Sequence, residues 1–207
     1  MQLQVFRPYI YDRLGMANTD NALPSSVLNN IINAALRQIS LEHDWPWLTA
    51  TDSSFTATAA GTKEYTPHST WRTTQYIVVD TDHLLKNKQP ADAARYSNFD
   101  GYPQFYSIEG GTIRLFPTPD AVYDVRHVFT RTEPLLTGDT DEPLMPDWAI
   151  DLLVLTSAHI AAARLRDRDL QAALKPELDR IMSSIKDEVR RTRSPVDPQH
   201  RRDIGWG

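Results

Sequence analysis

The sequence predicts an α+β protein: a helical bundle core interrupted by a small antiparallel β domain, with an extended C-terminal tail. Three observations lead there. Apolar residues recur at helical spacing within Ser25–Leu48 and again from Pro146 to Val189. Between those stretches, from Thr49 to about Thr132, the period drops to two. The last residues, RRTRSPVDPQHRRDIGWG, are basic and hold too few apolar groups to fold alone. The expected organisation is therefore a helical core from 1–48 with 143–192, a β insert at 49–135 and a tail at 193–207.

A first short helix is expected around Val5 to Leu14, with Pro8 in its first turn and Gly15 as a left-handed C-terminal cap. Met16 to Leu23, rich in Asn and Asp, reads as a loop. In the next stretch Leu28, Ile31, Ile32, Ala35, Leu36 and Ile39 share one side, while Asn29, Asn30, Asn33, Arg37 and Gln38 take the other. Ser25 or Ser26 is the expected N-cap, and Pro46 the expected stop, set between Trp45 and Trp47.

The β signals follow. Phe55, Ala57 and Ala59 alternate with threonines, and Gly61 allows a turn into Lys63–Tyr65. Tyr76–Val79 is a β-branched run suited to a buried strand. Phe105–Ile108, Gly110–Gly111 and Thr112–Phe116 predict a hairpin whose two glycines supply the positive φ angles of a tight turn. Val122 to Thr130 alternates through Val122, Asp124, Arg126 and Val128. Asp82 to Gly101 is polar and irregular, with one helical turn near Pro90–Tyr96.

After the turn-rich linker Thr137–Pro143, Pro146 is expected to open a new helix with Asp147 at its positive end. That helix, with Trp148, Leu152, Leu155, His159 and Ala163 on one side and Leu153, Ile160 and alanines on others, is apolar nearly all round. Such a helix is central to a bundle or lies in a subunit interface. A last helix carries Leu170, Leu174, Leu178, Ile181, Ile185 and Val189, and Pro176 is expected to kink it or mark its start.

Composition narrows the function. A chain of 207 residues with net charge −5 and no cysteine excludes disulfide staples, thiolate zinc sites and cysteine nucleophiles. The acidic balance argues against a general nucleic-acid binder. Ala149–Ala163, interrupted by Asp151, Thr156, Ser157 and His159, is expected to be too short and too polar to span a bilayer. The N-terminal residues show no basic start followed by an apolar core, so no secretory signal is expected.

Catalytic and cofactor signals are absent from the sequence. It holds no phosphate-binding glycine loop and no nucleophile elbow, and its six histidines show no metal-binding spacing. His159 reads as a hydrogen-bonded core or interface histidine, and Glu42, His43 and Asp44 as a solvated helix end. Asp139, Asp141 and Glu142 lack the internal glycine and terminal glutamate of a calcium loop. Trp45 and Trp47 read as packing residues where two domains join, ahead of a sugar-stacking platform. For the tail three readings stay open: disorder, a nucleic-acid contact, or a docking peptide anchored by its tryptophan.

Three phrases, LNNIINAALRQISLEHDWPWL, YSIEGGTIRLFPTPD and EPLMPDWAIDLLVLTSAHIAAARL, together resemble head–tail adaptor (connector) proteins of tailed bacteriophages, over about Leu3 to Val189. The resemblance implies a structural virion protein of the neck at the capsid vertex, made in the host bacterial cytoplasm and needing no cofactor, metal or catalytic residue. It implies a ring, typically of twelve copies, beneath the portal. Its partners would be portal protein, a stopper or tail-completion protein and other copies of itself. Genomic DNA would pass through the lumen without specific binding, and no membrane would be involved. The portal-docking tail would use Arg193, Pro195, Arg201, Arg202, Ile204 and Trp206. Subunit and domain packing would use Ile31, Ile39, Trp45, Trp47, Trp148, Leu152 and Leu155. An all-round apolar helix and an acidic chain suit a ring that lets DNA through. The alternatives are a stopper or tail-completion protein, a ligand-binding module using Trp71, Tyr76, Tyr102 or Tyr106, and a cell-wall hydrolase using Glu42, Asp44 or the Asp139 loop.

Overall fold

The computed structural model describes residues 2–16, 23–96 and 99–192. Its elements in chain order are α1 (Leu3–Arg13), α2 (Ser25–Glu42), β1 (Thr49–Thr51), β2 (Glu64–Tyr65), β3 (Trp71–Val79), β4 (His83–Leu84), β5 (Lys86–Asn87), α3 (Pro90–Ala93), β6 (Phe105–Glu109), β7 (Thr112–Phe116), β8 (Val125–Arg131), α4 (Ile150–Leu165) and α5 (Arg168–Thr192). The fold class is α+β. Two compact units divide the chain, one from residues up to 47 with those from 134 on, the other from 48–133.

In the helical unit α4 packs against α1, α2 and α5. Its buried residues, Ile150, Leu152–Ala158, Ala161 and Ala162, lie on every side of the helix, which is why the sequence shows no polar stripe. By length and composition Asp147–Leu165, 19 residues, does qualify as a membrane span, contrary to the expectation from its polar interruptions. Burial of 61% of that window inside the protein gives its apolar groups a different place. The stripe of α2 is buried as its spacing requires: Leu28, Ile31, Ile32, Ala35, Leu36 and Ile39.

Helix ends depart from expectation in several places. Pro24, not Ser25 or Ser26, is the N-cap of α2; its carbonyl accepts from Val27 and Leu28, and no side chain caps. The helix stops at Glu42, ahead of Pro46, because His43 is extended at φ −160°. That turn lets the Trp45 indole donate to the Ile39 carbonyl at 2.6 Å, satisfying one of the helix's last acceptors. Pro46 instead opens a 3₁₀ turn through Leu48.

Pro8 lies inside α1, not in its first turn, because the helix starts at Leu3. The amides of Leu3 and Gln4 donate to the carbonyls of Asp141 and Asp139, so the 137–142 loop caps α1. At the other end Gly15, at φ +64°, donates to Asp12 while Met16 donates to Tyr11, the paired bonds of a left-handed cap.

Pro146 is extended and precedes a 3₁₀ turn, Asp147–Ala149, so α4 proper begins at Ile150. The last helix starts earlier than its apolar pattern. Arg166, at φ +60°, closes α4, and the Asp167 carboxylate accepts from the Leu170 amide at 2.9 Å to begin α5. Pro176 falls within α5, so it does not mark the start.

The other unit holds two four-stranded sheets, ordered β1-β8-β3-β4 and β2-β7-β6-β5. Most pairs are antiparallel; β5 with β6 is parallel, an exception to the expected antiparallel domain. A shared core of Phe55, Ile77, Val79, Leu85, Tyr106, Ile113, Leu115 and Val125 draws on both sheets. The glycine hairpin forms as read, with Gly110 at φ +57° and Gly111 at +81° and Phe105–Glu109 paired to Phe116–Thr112. Phe55–Ala59 does not become a strand: only Ala57 bridges, to Asp124. The expected alternation at Val122–Thr130 gives way to β8, which starts at Val125 and is buried on both faces from His127 to Thr130. The stretch read as irregular forms β4 and β5 besides its helical turn.

Candidate functional site

Where α2 ends and the 3₁₀ turn before α4 begins, aromatic rings pass outward from the core of the helical unit. Trp45 is fully buried, with the His43 ring edge-on at 4.9 Å. Trp47 stacks on it at 4.6 Å, nearly parallel at 14°. Trp148 meets Trp47 edge-to-face at 5.9 Å and remains 56% exposed. Offset stacks and edge contacts of this kind add about 0.5–1.5 kcal/mol each beyond area burial. The inner two rings are held by packing and by the Trp45–Ile39 hydrogen bond; the outer one is more than half exposed.

Four more of the residues expected to pack, Ile31 and Ile39 on α2 and Leu152 and Leu155 on α4, are buried inside the same unit. Of the residues expected to pack, Trp148 is the exposed one. Tyr9 on α1 and Leu41 at the end of α2 are also strongly exposed apolar side chains, at 52% and 71%. A groove of about 610 Å³ runs between α1 and α4, lined by Tyr9, Asp12, Arg13, Asp147, Ile150, Asp151 and Val154. Arg13 is drawn toward Glu177 of α5 at 3.3 Å. Arg193, Pro195, Arg201, Arg202, Ile204 and Trp206 lie outside the described residues.

The acidic linker has a structural occupation. Asp141 Oδ2 accepts from the amides of Thr137 and Gly138 at 2.7 and 2.8 Å, and those bonds hold its carboxyl below the usual carboxylate range. Asp139 pairs with Arg7. Among the described residues no group of three or more His, Asp or Glu side chains is placed to hold a metal ion. Glu42 faces Lys186 at 3.8 Å, a solvated ion pair. His159 shares a 3.4 Å contact with Gln171.

The aromatics considered for a ligand platform are engaged separately. Tyr106 is core, Tyr102 donates to Asp80 at 2.9 Å, the Trp71 indole donates to Thr74 at 3.0 Å, and Tyr76 accepts from Arg126 at 3.2 Å.

One cluster escaped the sequence reading. Asp52 and His127 are both fully buried in the β unit, with Oδ2 to Nδ1 at 3.0 Å. Asp52 also accepts from the Ser54 amide and hydroxyl and from the Phe55 and His68 amides. Burial alone would push its carboxyl up; hydrogen bonds from Ser54, His127 and the Ser54 and His68 amides outweigh that and bring it down to about 2. Burial lowers the His127 pKa despite the neighbouring carboxylate. The imidazole is therefore neutral, with Nδ1–H donating to Asp52 and Nε2 accepting from the Thr74 hydroxyl at 3.0 Å. The sequence carboxylate–imidazole–hydroxyl is that of a nucleophilic relay. Here, however, the Thr74 oxygen also takes the Trp71 indole hydrogen, and the imidazole is enclosed by the Phe55 and Phe129 rings at 6.2 and 5.4 Å. It is a satisfied network that ties β3 to β8 and the 52–54 turn. The signal for it was parity: His127 alternates with Val125 and Phe129 along one side of the strand.

The sequence matches the family model for the SU10 adaptor protein over residues 7–200. The chain belongs to the SU10 adaptor family. No curated protein matches it. The family match begins within α1 and spans both units. This is a structural adaptor family of bacteriophages, and its members' work is contact with other head and tail proteins of the particle. In a structural adaptor, surface apolar groups and grooves are the features through which partners are contacted.

Proposed function

We propose that this SU10 adaptor forms a ring, typically of twelve copies, under the portal and joins the DNA-filled capsid to the tail. The observation that carries the reading is the family match over residues 7–200. A non-enzymatic role accords with it. The helical unit supplies the rigid body, and Trp148, set on Trp47, supplies an aromatic anchor of the kind that dominates protein interfaces. Arg193, Pro195, Arg201, Arg202, Ile204 and Trp206 supply a portal-docking peptide: arginines for charge-assisted bonds, Ile204 and Trp206 for burial. The resulting neck complex also contacts a stopper or tail-completion protein, while an acidic chain lets DNA pass without counterion-release binding.

Binding of the full chain, and of a version ending at Ser194, to portal rings of the same virus tests this. Tight binding of the full chain that is lost on truncation is the expected result. Binding that survives truncation removes the docking role of the tail. Failure of both versions to bind overturns the portal assignment in favour of the stopper reading.

A further inference from the structure

We propose that in the free subunit the end of the tail, residues 201–206, folds back into the groove between α1 and α4 of its own chain. This goes beyond the adaptor reading, since it concerns the protein before any partner is met.

The groove is lined by apolar and acidic side chains together. Tyr9, Ile150 and Val154 are its apolar lining and Asp12 and Asp151 its exposed acids; among the described lining residues Arg13 is the one cation, and it faces Glu177. The tail is the complement. Arg201 and Arg202 outnumber the one acid, Asp203, and stand close to Ile204 and Trp206, the two large apolar groups of the segment. A groove of about 610 Å³ accommodates an indole and a branched side chain together. Arginines beside these acids gain charge-assisted hydrogen bonds, while an indole removed from water contributes the larger apolar share.

Geometry brings the two together. Only Arg166 and Asp167 separate α4 from α5, so the helices form an antiparallel hairpin. Ile150 therefore lies near the level of residue 183. The C-terminal part of α5 runs on past it, ending at Thr192, roughly 13 Å beyond at 1.5 Å per residue. Thr192, the last described residue before the tail, thus lies toward the same end of the α4–α5 hairpin as Asp147 and Ile150. Its first twelve residues span up to about 40 Å when extended, ample for a return to the groove. A tether of that length keeps its end at an effective concentration on the order of millimolar, so weak docking suffices for occupancy.

The absence of cysteine makes the test clean. Full-length protein carrying Gly207→Cys is combined with Pro8→Cys, an exposed position on α1 one turn before Asp12, and disulfide formation is followed under mild oxidation. A control carries Gly207→Cys with Arg168→Cys, at the far end of the α4–α5 hairpin but within reach of an extended tail. The proposal predicts an intramolecular bridge at Pro8→Cys formed at least tenfold faster than the control. It also predicts that the advantage is lost with Trp206→Ser, a change in the tail that leaves the folded body untouched, and reduced several-fold by Asp12→Lys with Asp151→Lys. Equal rates at the two positions overturn it. So does a bridge that joins two chains and fades on dilution, which assigns the groove to a second copy. Portal rings are absent from this experiment, so its failure leaves the adaptor reading standing.

Discussion

At the scale of single residues, two tryptophans separate stability from assembly. Trp45 is fully enclosed, so Trp45→Ala removes a large buried ring and a hydrogen bond and is expected to cost about 3–5 kcal/mol in thermal or urea unfolding. Trp148 is 56% exposed, and Trp148→Ala should shift unfolding by no more than roughly 1 kcal/mol. If Trp148 is an interface anchor, the same variant weakens partner binding by about tenfold or more. A Trp148→Ala protein that unfolds early yet binds normally contradicts that division.

The buried Asp52–His127 pair gives the β unit a pH dependence of definite sign. His127 has a folded pKa below the ordinary 6.5, so the unfolded chain takes the proton more readily and stability falls as pH drops below about 6.5. Asp52 titrates at about 2 when folded against 3.8 otherwise, so its contribution, about 2 kcal/mol, is present above pH 3.8 and lost toward pH 2. Both act the same way. Unfolding followed from pH 7 to pH 3 should show monotonic loss, and Asp52→Asn should flatten the acid limb while lowering stability at pH 7 by about 2–3 kcal/mol. Little of this was legible beforehand. A histidine on an alternating strand is ambiguous until its partner is known, and Asp52 lies 75 positions away in the chain.

At the scale of elements, local rules succeeded where the chain itself supplied the geometry. The apolar stripe of α2 and the Gly110–Gly111 hairpin depend on spacing and on φ, both of which residue type controls. Gly111→Ala places a Cβ at φ +81° with open space around it, so strain of the backbone alone is expected, about 1–2 kcal/mol by unfolding. Gly15 caps α1 by its own φ as expected, whereas other helix termini depart from the local rules because tertiary bonds set them. No neighbouring residue announces that Asp139 and Asp141 cap α1, or that Trp45 draws its indole back to Ile39. The two-residue strands β4 and β5 were equally illegible, being too short to show a period. Asn33, whose side chain exchanges hydrogen bonds with the Leu136 amide and carbonyl at 2.8 and 2.9 Å, makes the same point. It stands on the polar side of α2, yet pins the chain where it re-enters the helical unit. Asn33→Ala leaves both Leu136 groups unpaired and should cost about 1–3 kcal/mol.

At the scale of the molecule, one helix explains the arrangement. α4 is apolar nearly all round because α1, α2 and α5 all pack on it, and two of these precede the β segment in the chain. The α+β class was legible from the change of period at residue 49. An adaptor's function was legible only as a resemblance, because assembly surfaces carry no motif comparable to a catalytic signature. The ring proposed for this SU10 adaptor would seat on the portal. Electron microscopy of portal rings saturated with the full chain tests it most directly. The expected result is an added layer with one adaptor copy for each portal subunit, in contact with the portal through the adaptor's C-terminal tail. Portal rings that emerge bare, or decorated at fewer and irregular positions, would contradict it.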